Sequence, residues 1–175
     1  AQTGNIVLLA QNLVDRNWQA ALRYFSPLLF FALGVAMAEC IRMKYQKAQR
    51  IHWRQLVLVT EIVLLFAVGF FPNTLDLVAN AMVSFACAMQ VQAFRKVNGY
   101  AFASTMCIGN LRSGMESLCA YGKTKDKKIL QKSGYYFGII FLFAIGAALG
   151  GHMIKYVGAK TIWISCLILL ISFLC

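Results

Sequence analysis

The sequence is short of negative charge. It has six acidic residues against 17 lysines and arginines in a chain of 175. Charged residues of both signs make up 13%, where a soluble domain carries about 25%. Six carboxylates cannot furnish the polar shell that a soluble core of this size needs. There are only two prolines, and 60% of the residues are hydrophobic, which excludes disorder and collagen-like repeats. Catalytic signatures are missing as well: no G-x-S-x-G, no H-E-x-x-H, no Walker A loop and no demanding pair of carboxylates. The six cysteines (Cys40, Cys87, Cys107, Cys119, Cys166 and Cys175) form no C-x-x-C pair. They read as small buried hydrophobes rather than as a metal or disulfide framework. His52 and His152 lie far apart without a ligand pattern. The expectation is a chain that is not an enzyme and holds neither cofactor nor metal.

What is present is apolar. Mean hydropathy is +0.66, and the hydrophobic residues gather in runs, as they do in an integral membrane protein. The runs are Tyr24 to Ile41, opened by Ser26-Pro27; Gln55 to Phe71, closed by Pro72-Asn73; Leu75 to Phe94; Gly134 to Ile154; and Ile162 to Cys175. Proline suits a first helical turn, which places a helix start at Ser26-Pro27. The last run is shorter than the ~20 residues of a spanning helix, so it is expected to start near Val157 or to continue past Cys175. Trp18, Tyr24, Trp53, Tyr135, Tyr136 and Trp163 sit near run ends, where an interfacial aromatic belt belongs. The chain opens without Met at Ala1-Gln2-Thr3-Gly4-Asn5, inside a motif that recurs. A preceding transmembrane helix is therefore expected.

The net charge of +11 raises nucleic acid as a partner. The basic residues, however, form short clusters between apolar runs, not a basic face with a recognition motif. They read as cytoplasmic loops. Arg42 to Arg54 holds five basic residues and no acid, so it is placed inside. The next cluster is Lys123, Lys125, Lys127, Lys128 and Lys132. Between these clusters Val97 to Gly122 is long enough to cross but rich in Gly, Ser, Asn, Arg and Glu. If it enters and returns on one side, only Arg16, Arg23, Lys155 and Lys160 are left outside, which obeys the positive-inside rule better than a crossing does. A re-entrant segment of this kind needs protein or a cavity to shield its backbone.

An internal repeat sharpens this picture. Thr3-Gly4-Asn5-Ile6 matches Ile108-Gly109-Asn110-Leu111, with Gln11 opposite Glu116 and Leu13 opposite Leu118. Phe31 to Ala36 then aligns with Phe143 to Ala148. The loops that follow the two Gly-Asn segments carry opposite charge signals, so the copies are expected to be inverted. The sequence thus predicts one membrane domain over residues 1–175, with repeat 1 at 1–72, lacking its first helix, and repeat 2 at 73–175. The fold class is all-α: a polytopic helical membrane protein with an inverted repeat and two short re-entrant or broken helices. Such repeats are common in secondary transporters, although a duplicated bundle with close-packing glycines would look similar.

Candidate site residues follow. Each Gly-Asn segment is expected to start a short helix, Ile6 to Leu13 and Leu111 to Leu118, with Asn or Thr capping free amides and glycine admitting a close neighbour. Helix N-termini favour an anionic or hydrogen-bonding solute. The binding set is Thr3, Gly4, Asn5, Gly109, Asn110, Arg112 and Glu116, with Arg112 and Glu116 paired at i,i+4. Glu61, inside an apolar run, is the candidate proton-coupling acid, since an intramembrane acid is functional by default. A glutamate near enough to the interface to reach water or Arg54 is the plainer alternative. Glu39 and Arg42 read as a structural pair one turn apart. Asn80, Gln90 and Gln92 either line a polar path or bond neighbouring helices.

The stretches Gln2-Thr3-Gly4-Asn5, Phe71-Pro72-Asn73, Gln90 to Arg95, Ser104-Thr105-Met106 and Gly109 to Ser113 together resemble the YoaK-like family of bacterial integral membrane proteins, over essentially the whole chain. Ile108 stands where that family carries a second threonine. The resemblance implies six membrane helices plus an additional N-terminal one, in the bacterial inner membrane, and names no substrate. The function expected from the sequence is a multi-pass, transporter-like permease for a small, anionic solute. A non-transporting scaffold or accessory protein is the rival, and a membrane enzyme comes third. Its partners would be the lipid bilayer, the solute and, in an assembly, further copies as a homo-oligomer.

Overall fold

A computed structural model describes residues 2–46, 52–97, 100–101 and 106–174. The chain is helical: α1 (Gln2–Val14), α2 (Trp18–Tyr45), α3 (Trp53–Val68), α4 (Asp76–Ala93), α5 (Cys107–Thr124), α6 (Lys127–Val157) and α7 (Ile162–Leu174). Single 3-10 turns at Asn73–Leu75 and Gly158–Thr161 precede α4 and α7. A two-residue antiparallel ladder pairs Lys96 with Ala101 and Val97 with Tyr100. The stretch Lys127–Leu174 and helix α2 are long and apolar enough to cross a membrane. Only 11% and 17% of their most apolar windows are buried.

Two compact units form, residues 1–93 with 157–175, and residues 94–156. In the first, α2 packs on α4 and α1, and α3 packs on α4 and α7. Small residues make the α2–α4 contact close. A Cβ on Gly34 would stand 2.4 Å from the Phe85 carbonyl oxygen and 2.9 Å from the Ala88 Cβ. Ala38, Ala81 and Ala88 fill the same seam and are essentially inaccessible. Where lipid offers no hydrophobic gain on helix association, such close van der Waals contact is what holds helices together. At the other seam Trp163 lies in the notch left by Gly69, whose added Cβ would be 2.0 Å from the indole nitrogen. That nitrogen donates to the Phe66 carbonyl at 3.3 Å, and the ring stacks on Phe66. Cys166 Sγ reaches the Ile62 carbonyl one turn on, which makes α7 antiparallel to α3.

The second unit is an αα-hairpin of α5 and α6 with the short ladder before it. Its turn is made by Lys125 in the left-handed region (φ 55°) and by Asp126, which accepts from the Lys128 amide at 2.9 Å. Ser133, buried on α6, donates to the Gly114 carbonyl of α5 at 2.9 Å.

Several helix ends differ from the sequence expectations. Helix α2 starts at Trp18, not at Ser26-Pro27, because the Asn17 side chain caps it by accepting from Ala20 N. Pro27 is consequently an interior, buried proline. Helix α6 starts at Lys127 instead of Gly134, whereas α7 starts at Ile162, where the apolar run begins. Of the two expectations for that run a start near Val157 is not met: a turn in which Gly158 takes φ +62° precedes the helix. Helix α5 is one continuous helix of 18 residues, about 27 Å long at 1.5 Å per residue, not the short piece expected over Leu111 to Leu118. The Ser104-Thr105 part of the sequence motif and residues 47–51 of the basic segment Arg42 to Arg54 lie outside the described residues.

Candidate functional site

In the first unit, a chain of hydrogen bonds crosses three helices. Asn5 Nδ2 donates to Gln2 Oε1 at 2.9 Å, and Gln2 Nε2 donates to Ser84 Oγ at 2.7 Å. Ser84 Oγ in turn donates to the Pro27 carbonyl at 2.6 Å. Proline lacks the N–H that would have bonded back to the Arg23 carbonyl within α2. The Ser84 hydroxyl from α4 bonds the carbonyl of Pro27 itself, and so ties the two helices at that level. Asn5 thus belongs to a network that ties α1 to α4 and α2.

This placement corrects the capping expectation. Asn5 lies within the first turns of α1, a helix that already starts at Gln2. Asn110 is the fourth residue of α5, whose N-cap is Met106 without a side-chain cap bond. The Asn110 amide is engaged within the helix, bonding the Met106 carbonyl at 3.3 Å. Both helices begin earlier than the Gly-Asn steps, so neither asparagine has free amides to cap. Thr3 and Gly4 are exposed on α1, and Gly109 is exposed on α5. A Cβ added at Gly4 or Gly109 would meet nothing within 4 Å. Among the described residues, the glycines that permit the closest approach are Gly34 and Gly69, with Gly114 of α5 next, against Tyr136 and Phe137. Asn110 itself is buried, 3% exposed. Asn5 belongs to the first unit and Asn110 to the second.

Arg112 Nε bonds Glu116 Oε1 at 2.8 Å, as the i,i+4 spacing expects, but the two side chains are 81% and 61% exposed. The pair therefore lies on the surface of α5 and is not a buried couple. Glu39 pairs with Arg42 and also accepts from Gln92 Nε2 at 2.6 Å, so it bridges α2 to α4. Gln92 thereby joins helices, whereas Asn80 is exposed.

Glu61 occupies a different setting. It is 1% exposed, on the inner face of α3. Its Oε1 has no hydrogen-bond partner among the described residues. The acid lines a cavity of about 330 Å³ between α3, α4 and α7, together with Leu65, Val83, Cys87, Gln90, Ser165 and Leu169 among others. Helix α3 delivers it there because Val57, Leu58, Glu61 and Val68 share the buried face at helical spacing. Cys87, Ser84 and Ser165 were missed by sequence reasoning. Their helical periodicity is ordinary, and only tertiary packing brings them to Glu61 or Pro27.

The family described as protein of unknown function (DUF1275) matches residues 1–175. No curated protein and no solved structure matches significantly.

Proposed function

The chain belongs to this family, and from that premise we propose that it is a polytopic, transporter-like permease of the bacterial inner membrane for a small solute, built as an inverted repeat. The observation that carries this reading is Glu61, an acid in an apolar helix, buried, unpartnered at Oε1 and facing a cavity. An acid at the bilayer centre costs about 2.5–3.5 kcal/mol on insertion scales, and such residues mark solute and proton pathways. A purely structural bundle has no use for that cost. In this reading Glu61 is the proton-coupling acid. Of the other candidates, Thr3, Gly4 and Asn5 share the first unit with Glu61, and Gly109, Asn110, Arg112 and Glu116 belong to the second.

A scaffold is the second reading, and α6 favours it: residues 141–149 are exposed throughout, an apolar surface that another membrane protein or a second copy could cover. Uptake into proteoliposomes, screened over small anions, amines and neutral metabolites under an imposed pH gradient, separates the two. Transport is expected for at least one class and is lost in Glu61→Gln. Absence of uptake in all three classes would refute the permease reading.

A further inference from the structure

The walls around Glu61 carry more information than the presence of an acid. Its cavity holds one carboxylate, the Gln90 amide, the Ser165 hydroxyl and the Cys87 thiol, and the remaining lining is aliphatic: Leu65, Val83, Ala86, Ile162, Ile168 and Leu169. Among the described residues, no lysine, arginine or histidine lines it. A buried acceptor without a donor leaves its full desolvation penalty standing. The group that would relieve it must bring N–H or O–H donors, and a positive charge would match the carboxylate.

Three occupants compete for that role. A bare divalent cation is a poor fit. Calcium takes six to eight oxygen ligands and magnesium needs near-octahedral oxygen geometry, whereas the site has one carboxylate and mostly hydrocarbon. Among the described residues no group of three His, Cys, Asp or Glu side chains gathers anywhere. A proton alone needs no such volume. About 330 Å³ falls at the small end of ligand sites, which run to about 300–1,000 Å³ and are mainly apolar with a few orienting polar groups.

We propose that the cavity between α3, α4 and α7 is a binding site for a small organic amine with an apolar body, its ammonium group on Glu61 and its hydrocarbon against Leu65, Val83 and Leu169. Gln90 and Ser165 supply further oxygen acceptors for the remaining N–H groups. The site lies wholly within the first compact unit. The inference deepens the permease reading by naming a solute class, but binding can be measured without transport.

The test is equilibrium binding to the purified full chain in detergent, using three probes of similar shape: 2-phenylethylamine, 2-phenylethanol and phenylacetate. A charge-assisted hydrogen bond to a buried carboxylate should make the amine bind about tenfold or more tighter than the alcohol, with phenylacetate weakest. Glu61→Gln keeps the shape and removes the charge, so it should abolish the amine's advantage and leave the alcohol within about twofold. Ile168, 59% exposed at the cavity wall, provides a second variant that spares the buried core. Ile168→Trp should weaken amine and alcohol alike. Equal binding of phenylacetate and the amine overturns the proposal, as does amine binding unchanged by Glu61→Gln or Ile168→Trp. No binding of any probe to the wild-type chain also overturns it. If Glu61→Gln fails to fold, the probe comparison on the wild type and Ile168→Trp still decide. Amine binding without uptake would retain this site and discard the permease.

Discussion

Replacing Gly34 by alanine adds one methyl group at the close contact between α2 and α4. The new Cβ would lie 2.4 Å from the Phe85 carbonyl oxygen and 2.9 Å from the Ala88 Cβ. To restore ordinary contact the α2 backbone must retreat from α4 by about 1 Å. The obstacle is backbone on one side and a short side chain on the other, so no rotamer change can make room. Overpacking of this kind costs about 1–3 kcal/mol, against which alanine regains up to about 1 kcal/mol of helix propensity over glycine. With the full propensity gain, the net expectation is a loss of about 0–2 kcal/mol, and relative to an alanine that meets no clash a loss of about 1–3 kcal/mol. Gly146→Ala on α6 is the matched control, because its added Cβ meets nothing within 4 Å, and it should be neutral or slightly stabilising. Thermal or denaturant unfolding in one detergent, followed by circular dichroism, compares the two. If Gly34→Ala proves as stable as Gly146→Ala, close packing at this seam does not hold α2 on α4. Ala88→Gly in the Gly34→Ala background should restore only part of the loss, since the carbonyl contact persists.

Three further outcomes follow from the contacts described. Ser84→Ala removes the donor to Pro27 and the acceptor for Gln2, which should cost about 1–2 kcal/mol in unfolding measurements; adding Gln2→Ala should then cost little more, and full additivity would show that the three groups do not act together. Arg112 and Glu116 are exposed, so a double-mutant cycle by thermal unfolding should give a coupling of only about 0.3–0.5 kcal/mol, and a coupling of several kcal/mol would mean that the pair is enclosed in the membrane-bound protein. On the proposed topology the turn carrying Lys125 to Lys128 is cytoplasmic, so a cysteine at position 127 in a chain depleted of native cysteines should resist an impermeant thiol reagent in intact cells and react after permeabilisation; labelling of intact cells contradicts that topology.

The apolar runs locate the centres of α2, α3, α4, α6 and α7 well, because hydropathy reports directly on residues that avoid water. They fail at ends where a helix continues as a polar turn. Trp18 to Arg23 and Lys127 to Ser133 are helical but not uniformly apolar, and Asn17 and Asp126 fix their starts through single capping bonds. The same weakness misplaced the Gly-Asn steps, which are interior because α1 and α5 each begin three residues before their asparagine. Glu61 is legible as an anomaly, one acid in an apolar stretch. Its surroundings are not, since Ser165 and Cys87 reach it only through the packing of α7 and α4. The Ser84–Pro27 bond, 57 residues apart in the chain, leaves no local mark at either position.

Trp163 in the notch at Gly69 limits how α7 can move. The indole is keyed sterically to one level of α3 and tethered to the Phe66 carbonyl, so displacing α7 along its axis by a helical turn, about 5.4 Å, would drive the ring into filled backbone. Tilting about the indole is resisted far less, because the far end of α7 has few buried side chains beyond Leu169. Trp163 is therefore a pivot and not a slide bearing. Any change in the distance between Ser165 and Glu61 comes from rotation about that point, with amplitude growing toward Leu174, and a bulky label near the end of α7 would register such a swing before one near its start.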